Sequence, residues 1–269
     1  MTGTDEAMTV ALITGGADGI GWAMARRFAS GGGLVAIADI DRDRAAARAA
    51  QLGGEHLAIA ADISAEPDVA GMIAAVTDRW GRLDVLVNNA GIGDTHLPTL
   101  DQTIDSFDRI LRIHLTGTFM ASREAARVMI GQGGGAIVNI SSIAGITGLP
   151  RRNAYGAAKA GIVSLTRSMA CEWAGNGIRV NAIAPGYVGT ELVHRLEQAG
   201  KIDMERLKRR IPMGRLAKPE EIAETAWFLA SPRASYITGT VVSVDGGWHA
   251  FGDAGDASAE PASRASDHD

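Results

Sequence analysis

Tyr155 and Lys159 stand four residues apart in a stretch with helical spacing, so both side chains leave one face of a helix. A free phenol has a pKa of about 10 and is a weak base at neutral pH. A neighbouring ammonium favours the phenolate; bringing the phenol to about 7–8 takes roughly 3–4 kcal/mol of differential interaction. The pair reads as an acid/base with its electrostatic helper, or, taken alone, as an ordinary amphipathic pair. Ser142 stands thirteen residues before Tyr155. Its hydroxyl can bind a substrate oxygen while the phenol transfers a proton. Ser141 competes for that role, but alternation along a strand turns it the other way.

A second group of residues suits a nucleotide. Thr14-Gly15-Gly16-Ala17-Asp18-Gly19-Ile20-Gly21 follows a short apolar run and opens a helix. Glycines there let the backbone turn tightly and approach a pyrophosphate, and the helix start supplies free N–H groups. The alternative is a glycine-rich turn that binds nothing. Asp39 closes the next apolar run, eighteen residues beyond Gly21, which is the context the pyrophosphate reading needs. Its carboxylate can accept from both ribose hydroxyls of NAD and would repel the 2′-phosphate of NADP. Ile40 offers no cation, and Asp18 adds negative charge, so NAD is expected. Asp39 could instead cap the following helix, though Asp41 is better placed.

Elements must hold these groups. Seven short runs rich in Val and Ile read as strands buried on both faces: 10–14, 34–39, 56–61, 83–88, 136–141, 178–184 and 241–244. Between them 19–30, 42–52, 65–80, 103–130, 153–174 and 220–230 have helical spacing. This alternation predicts an α/β fold, a doubly wound three-layer sandwich on a parallel seven-stranded Rossmann-type sheet. Residues 1–249 read as a single dinucleotide-binding and catalytic domain. The charged segment 190–215 follows the sixth strand, where ligands bind, and is expected to be a substrate lid or else a plain surface insertion.

Composition narrows the class. Hydrophobic residues make up 46% and supply a large core, while 34 glycines and 5% aromatics suit close helix–sheet packing. No apolar run approaches the ~20 residues that span a bilayer. No cleaved leader is evident, and a cytoplasmic location is expected. The single Cys171 excludes an internal disulfide and a multi-cysteine metal site; no metal is expected. Net charge is −5, concentrated in residues 250–269, so nothing marks a nucleic-acid footprint. That small, polar, acidic tail is expected to be disordered.

The glycine spacing, Asn88-Asn89-Ala90-Gly91, Ser142, Tyr155-x-x-x-Lys159 and Pro185-Gly186-x-x-x-Thr190 occur in one order. In this the chain resembles the short-chain dehydrogenase/reductase family over residues 8 to 249. The resemblance implies direct hydride transfer between NAD(H) and a secondary alcohol or ketone, with Lys159 also binding the nicotinamide ribose. It implies a homotetramer, or less often a dimer. It also implies cofactor contacts from Gly15, Asp18, Gly19, Ile20 and Gly21, from Asp62 and Ile63 beside the adenine, and from Asn89, Ala90 and Gly91 on the cofactor floor. Asn181, Pro185, Gly186, Val188 and Thr190 would support the nicotinamide end.

One position departs from the family. His114 stands where an Asn usually stabilises a helix bulge and holds a water linked to the lysine. Neutral histidine has a donor and an acceptor and could hold that water, or it could be merely tolerated. It could also titrate near pH 6.5. His96, Leu149, Asn153, Tyr187 and His194 are expected in the substrate pocket by position. Carrier-protein-linked 3-oxoacyl reductases share these motifs but commonly show basic residues where this chain has Gly131-Gln132-Gly133-Gly134-Gly135 and Ala174-Gly175-Asn176-Gly177. A free small alcohol, polyol, cyclic alcohol or hydroxysteroid is therefore the expected substrate, with the carrier-linked reductase as alternative. A non-catalytic nucleotide sensor or scaffold would be expected to lose Tyr155 or Lys159, and both are present.

Overall fold

The computed structural model describes residues 9–198, 200, 202–253 and 255–258, the side chains of Leu192, His194 and Leu196 excepted. Its strands are β1 (Val10–Thr14), β2 (Leu34–Asp39), β3 (Leu57–Ala60), β4 (Val85–Asn88), β5 (Gly135–Ile140), β6 (Ile178–Pro185) and β7 (Val241–Val244). They form one parallel sheet in the order β3-β2-β1-β4-β5-β6-β7. Alternation along β1 sends Val10 and Leu12 into one core and Ala11 and Ile13 into the other. The order reverses direction between β1 and β4, which opens a crevice at their carboxyl ends.

The helices are α1 (Gly19–Ser30), α2 (Arg42–Leu52), α3 (Glu66–Trp80), α4 (Ile104–Leu111), α5 (Gly117–Gln132), α6 (Asn153–Trp173), α7 (Glu191–Gln198), α8 (Met204–Arg210) and α9 (Pro219–Ala230). One face of the sheet is covered by α3, α5 and α6 through residues such as Val69, Met72, Met120, Ala125 and Met169. The other is covered by α1, α2 and α9 through Met24, Phe28, Ala45, Ile222 and Leu229. Asp41 caps α2, accepting from Arg44 N at 3.0 Å, which leaves Asp39 for another task.

Two expectations change. The continuous helix over 103–130 is broken by a π turn at Arg112–Thr116, where Gly117 N donates to Arg112 O. The tail expected to be disordered is in place at residues 251–253 and 255–258. Ala257 N donates to Arg209 O (2.7 Å), Ser258 Oγ to Lys208 O (2.9 Å), and the Arg209 guanidinium pairs with Asp256 at 3.4 Å. Arg210 also stacks on Phe251, 4.9 Å from its ring centre, so an aromatic anchor and three α8 residues hold a segment whose composition is otherwise polar. Residues 259–269 lie outside the described residues.

Candidate active site

The first turn of α1 is built for close approach. Gly15 has a left-handed φ of 60°, and a Cβ there would lie 2.8 Å from Ala90 Cα. A Cβ on Gly21 would collide with the Gly15 carbonyl. Asn89 Nδ2 donates to Thr14 O and Gly15 O, both at 3.0 Å, while Thr14 Oγ1 accepts from Asn89 N (3.0 Å) and Ala90 N (3.1 Å). The glycine loop and the segment after β4 are thus fastened together. Thr190, following β6, faces Gly19, with Cγ2 3.4 Å from where a Cβ would stand. The trough between these segments is lined by bare backbone and accepts a dinucleotide.

Asp39 borders that trough. One carboxylate oxygen accepts from Ala17 N and the other from Asp41 N, both at 3.1 Å. Ile40 is 75% exposed and adds no charge. Asp18 caps α1, accepting from Gly19 N at 2.7 Å. Two arginines missed by the local reading also come near. Arg44 Nη1 donates to Asp18 (3.1 Å), and Arg48 Nε donates to Ala17 O (3.2 Å). Both are already engaged, Arg44 also by Asp41 at 3.3 Å. Helical spacing from Asp41 could have revealed them.

Further along, Asp62 accepts from Ser64 N (2.8 Å) and Ser64 Oγ (2.7 Å), and these bonds hold its carboxyl below the ordinary range. Ile63 is buried against Gly117, where a Cβ would meet it at 2.9 Å. Pro185 and Val188 are buried, and Gly186 has no room for a side chain beside Asp245. Asn181, expected at the nicotinamide end, is instead buried within β6. Its amide donates to Ile237 O (2.8 Å) and accepts from Thr240 N (3.1 Å), a strand-joining role.

Ser142, Tyr155 and Lys159 converge. The Ser142 hydroxyl stands close enough to the Tyr155 phenol to favour the phenolate, and Ser142 Oγ accepts from Ala144 N at 3.1 Å. Ser141 faces away and donates to Lys159 O at 2.9 Å, fixing α6 to the end of β5. Lys159 Nζ donates to Ile140 O at 2.7 Å and lies 5.4 Å from the Tyr155 ring centre. The electrostatics differ from expectation. Burial pulls Lys159 down to about 7, which disfavours its ammonium form. Burial raises Tyr155 above its ordinary value; the Ser142 hydroxyl and the Arg152 charge oppose that rise, and Asp94 adds to it.

His114 lies in the π turn with its ring edge-on to Tyr155, centroids 5.2 Å apart. Its Nε2 sits 3.0 Å from Ile92 N and 2.9 Å from Ile92 O, and the tautomer decides which bond forms. Its Nδ1 is buried with no partner among the described residues. Burial first, then Lys159, pushes its pKa down to about 3. The titration near pH 6.5 expected from sequence is therefore removed, and the ring stays neutral. Gly91 leaves room for it, since a Cβ there would strike the imidazole.

The expected substrate residues divide. Leu149 and Tyr187 pack with Ile143, Ile211 and Trp248 next to Ser142. His96 borders the cleft with a left-handed φ of 59°. Asn153 is exposed and donates to Thr99 Oγ1 (2.8 Å) and Gln102 Oε1 (3.3 Å), so its amide ties α6 to the preceding loop. The His194 side chain lies outside the described residues. Arg152 and Asp94 were missed. Arg152 lies 4.5 Å over the Tyr155 ring, and Asp94 accepts from Tyr155 N at 3.3 Å. A cation directly before a helix start, where the dipole disfavours it, was the available signal. A buried network, Asn88 to Ser122 (2.9 Å) and Asn139 (2.8 Å), then Asn139 to Thr166 (2.9 Å), underpins the floor of the site.

A parallel doubly wound sheet, a backbone-lined dinucleotide trough and a Ser–Tyr–Lys cluster at its end define a nucleotide-dependent oxidoreductase. The chain belongs to the short-chain dehydrogenase/reductase family. A family model described as enoyl-(acyl carrier protein) reductase matches residues 15–249. An uncharacterized short-chain type dehydrogenase/reductase of Sinorhizobium fredii is 47% identical over 89% of this chain, which spans only 43% of that protein. A cis-4-hydroxycyclohexanecarboxylate dehydrogenase of Sinomonas cyclohexanicum is 43% identical over 90% of this chain and 96% of its own. The crystal structure of a 3-ketoacyl-(acyl-carrier-protein) reductase from Brucella melitensis complexed with NADH is 38% identical, covers 90% of this chain and 98% of its own, and has a TM-score of 0.84.

Proposed function

We propose that the chain interconverts a free small secondary alcohol and its ketone using NAD(H) rather than NADP(H). The observation that carries the cofactor choice is Asp39, whose carboxylate is pinned by Ala17 N and Asp41 N beside the trough while Arg44 and Arg48 are engaged elsewhere. Bound nicotinamide supplies the hydride acceptor or donor. Ser142 holds the substrate oxygen. Tyr155 takes the proton in alcohol oxidation and returns it in ketone reduction. Lys159 and His114 stand behind the phenol as the route by which it exchanges protons. The backbone at Gly15, Gly19, Ile20 and Gly21 holds the pyrophosphate, and Asp62, Ile63, Asn89, Ala90, Gly91, Pro185, Gly186, Val188 and Thr190 frame the rest.

Segment 190–215 acts as a substrate lid on this reading, because Leu207 and Ile211 pack with Tyr187, Leu149 and Trp248 over the Ser142 side of the cleft. Assembly into a homotetramer is supported by a shallow, mainly apolar depression of about 360 Å³ at Leu115, Phe119, Gly161 and Leu165. No described helix is long and apolar enough to cross a membrane; a cytoplasmic setting is the reading we adopt. The test is a panel of secondary alcohols with NAD⁺ and with NADP⁺, followed by the absorbance of the reduced nicotinamide. A higher kcat/KM with NADP⁺ overturns the cofactor choice, and turnover confined to carrier-linked substrates overturns the free-alcohol choice.

A further inference from the structure

Arg152 is the cleft cation that the hydride chemistry does not require. It precedes α6 with no side-chain capping bond. Its guanidinium lies 4.5 Å from the Tyr155 ring centre, and its Nε is buried with no hydrogen bond among the described residues. It forms a long ion pair with Asp94, at 3.9 Å. That carboxylate already accepts from Thr95 N (2.7 Å) and Tyr155 N (3.3 Å). The Arg152 charge is felt at Tyr155, Tyr187, His96 and His114, which come from four separate segments. It therefore lies within electrostatic reach of the side chains around the cleft, seated over the Tyr155 ring. The backbone is strained on both sides of it: His96 and Arg151, with φ of 59° and 65°, are the non-glycine residues in the left-handed region among those described. Such strain, about 1–3 kcal/mol each, gathers at ligand clamps.

We infer that Arg152 recognises a carboxylate on the substrate, so that the alcohol or ketone turned over is a hydroxy or oxo acid. This rests on the oxidoreductase reading above. A partly desolvated guanidinium whose ion-pair partner stands at 3.9 Å and is shared with two backbone N–H groups gains from an incoming anion, and its planar fork matches a carboxylate in two parallel hydrogen bonds. One guanidinium that already faces Asp94 suits a single negative charge better than a phosphate dianion. Its place over the Tyr155 ring lets one small molecule reach both the phenol and the cation.

The test compares kcat/KM for a set of hydroxycyclohexanecarboxylates with that for the matching carboxamides, in wild type, Arg152→Gln and Arg152→Lys, with NAD⁺ saturating. Wild type prefers the acids. Arg152→Gln lowers the acid-to-amide ratio by about 10- to 100-fold, the worth of a hydrogen bond to a charged group. Turnover of the amides falls as well, by less, because the same cation favours the Tyr155 phenolate. Arg152→Lys restores part of the ratio, since it keeps the charge and loses the fork. Equal losses on acids and amides overturn the inference and reduce Arg152 to a positioning residue for Tyr155. Turnover of neutral alcohols with none of any hydroxy acid overturns the inference alone. No turnover of any alcohol with either nucleotide overturns the oxidoreductase reading beneath it.

Discussion

His114 and Tyr155 meet edge to face, with ring centroids 5.2 Å apart and planes at 85°. The contact puts a neutral imidazole directly against the phenol proposed as acid/base. Because burial holds His114 at about 3, kcat measured from pH 5 to 8 contains no His114 limb. His114→Asn keeps the shape of the wild-type profile and remains active; His114→Leu, which removes the polar partner, loses at least about tenfold. A limb near pH 6.5 that vanishes in the Asn variant would refute this. Stability does respond. Between pH 3 and 6.5 the unfolded chain binds a proton at this histidine that the folded chain does not. Stability therefore falls as pH falls through that window, by up to about 1.4 kcal/mol per pH unit, and His114→Asn flattens the dependence.

On the proposed mechanism Tyr155→Phe removes the proton-transfer group while leaving the trough intact. Turnover drops by at least 10²-fold, with NADH affinity within about threefold of wild type by fluorescence titration. Retained activity above about a tenth would move the acid/base role elsewhere.

Lys159 is lowered to about 7 by burial. From pH 7 up to its ordinary value, the unfolded chain holds the extra proton, so stability rises with pH across that window and the cost of the buried amine is fully felt below it. Lys159→Met is accordingly more heat-stable than wild type at pH 7, and its advantage narrows toward pH 10. Parallel melting curves at both pH values would contradict this. Turnover is lost in the same variant.

Asp39→Ala combined with Ile40→Arg removes the pinned carboxylate and places a guanidinium at an exposed position beside the trough. The ratio of kcat/KM for NADP⁺ to that for NAD⁺ rises by at least about tenfold, the scale of one charge-assisted hydrogen bond. Steady-state kinetics with both nucleotides reads it directly.

Truncation after Gly252 removes the Asp256 partner of Arg209 and the bonds from Ala257 and Ser258 to the end of α8. The melting temperature falls by about 2–6 °C, and α8 becomes more susceptible to limited proteolysis. An unchanged melting temperature would show that these contacts contribute nothing.

The sheet was legible because strands buried on both faces read as unbroken apolar runs; β1, β2 and β7 agree residue for residue. The positions of Ser142, Tyr155 and Lys159 were legible for the same reason, since each sits at a fixed offset from a strand end or along one helix. What escaped depends on chain segments far apart in sequence. Arg152 is a lone cation until Asp94, Tyr187 and His96 are folded around it. The depressed Lys159 and His114 follow from burial that no local window reports. The docked tail depends on Phe251 and on α8 arginines some forty residues earlier.

The π turn escaped for a subtler reason. Leu111 and Gly117, on either side of it, keep ordinary helical angles, and only the hydrogen bonding slips by one residue. That slip is equivalent to one surplus amino acid in the spiral, and each residue advances an α-helix by about 100°. Excising a single residue from 112–116 would let the two halves fuse into one straight rod. The halves on either side would keep their places, but the side chains within the stretch would be re-aimed, and the imidazole would lose the bulged backbone that turns it toward both Ile92 and the phenol. The length of this stretch thus decides the placing of His114 against Tyr155 as much as its composition does.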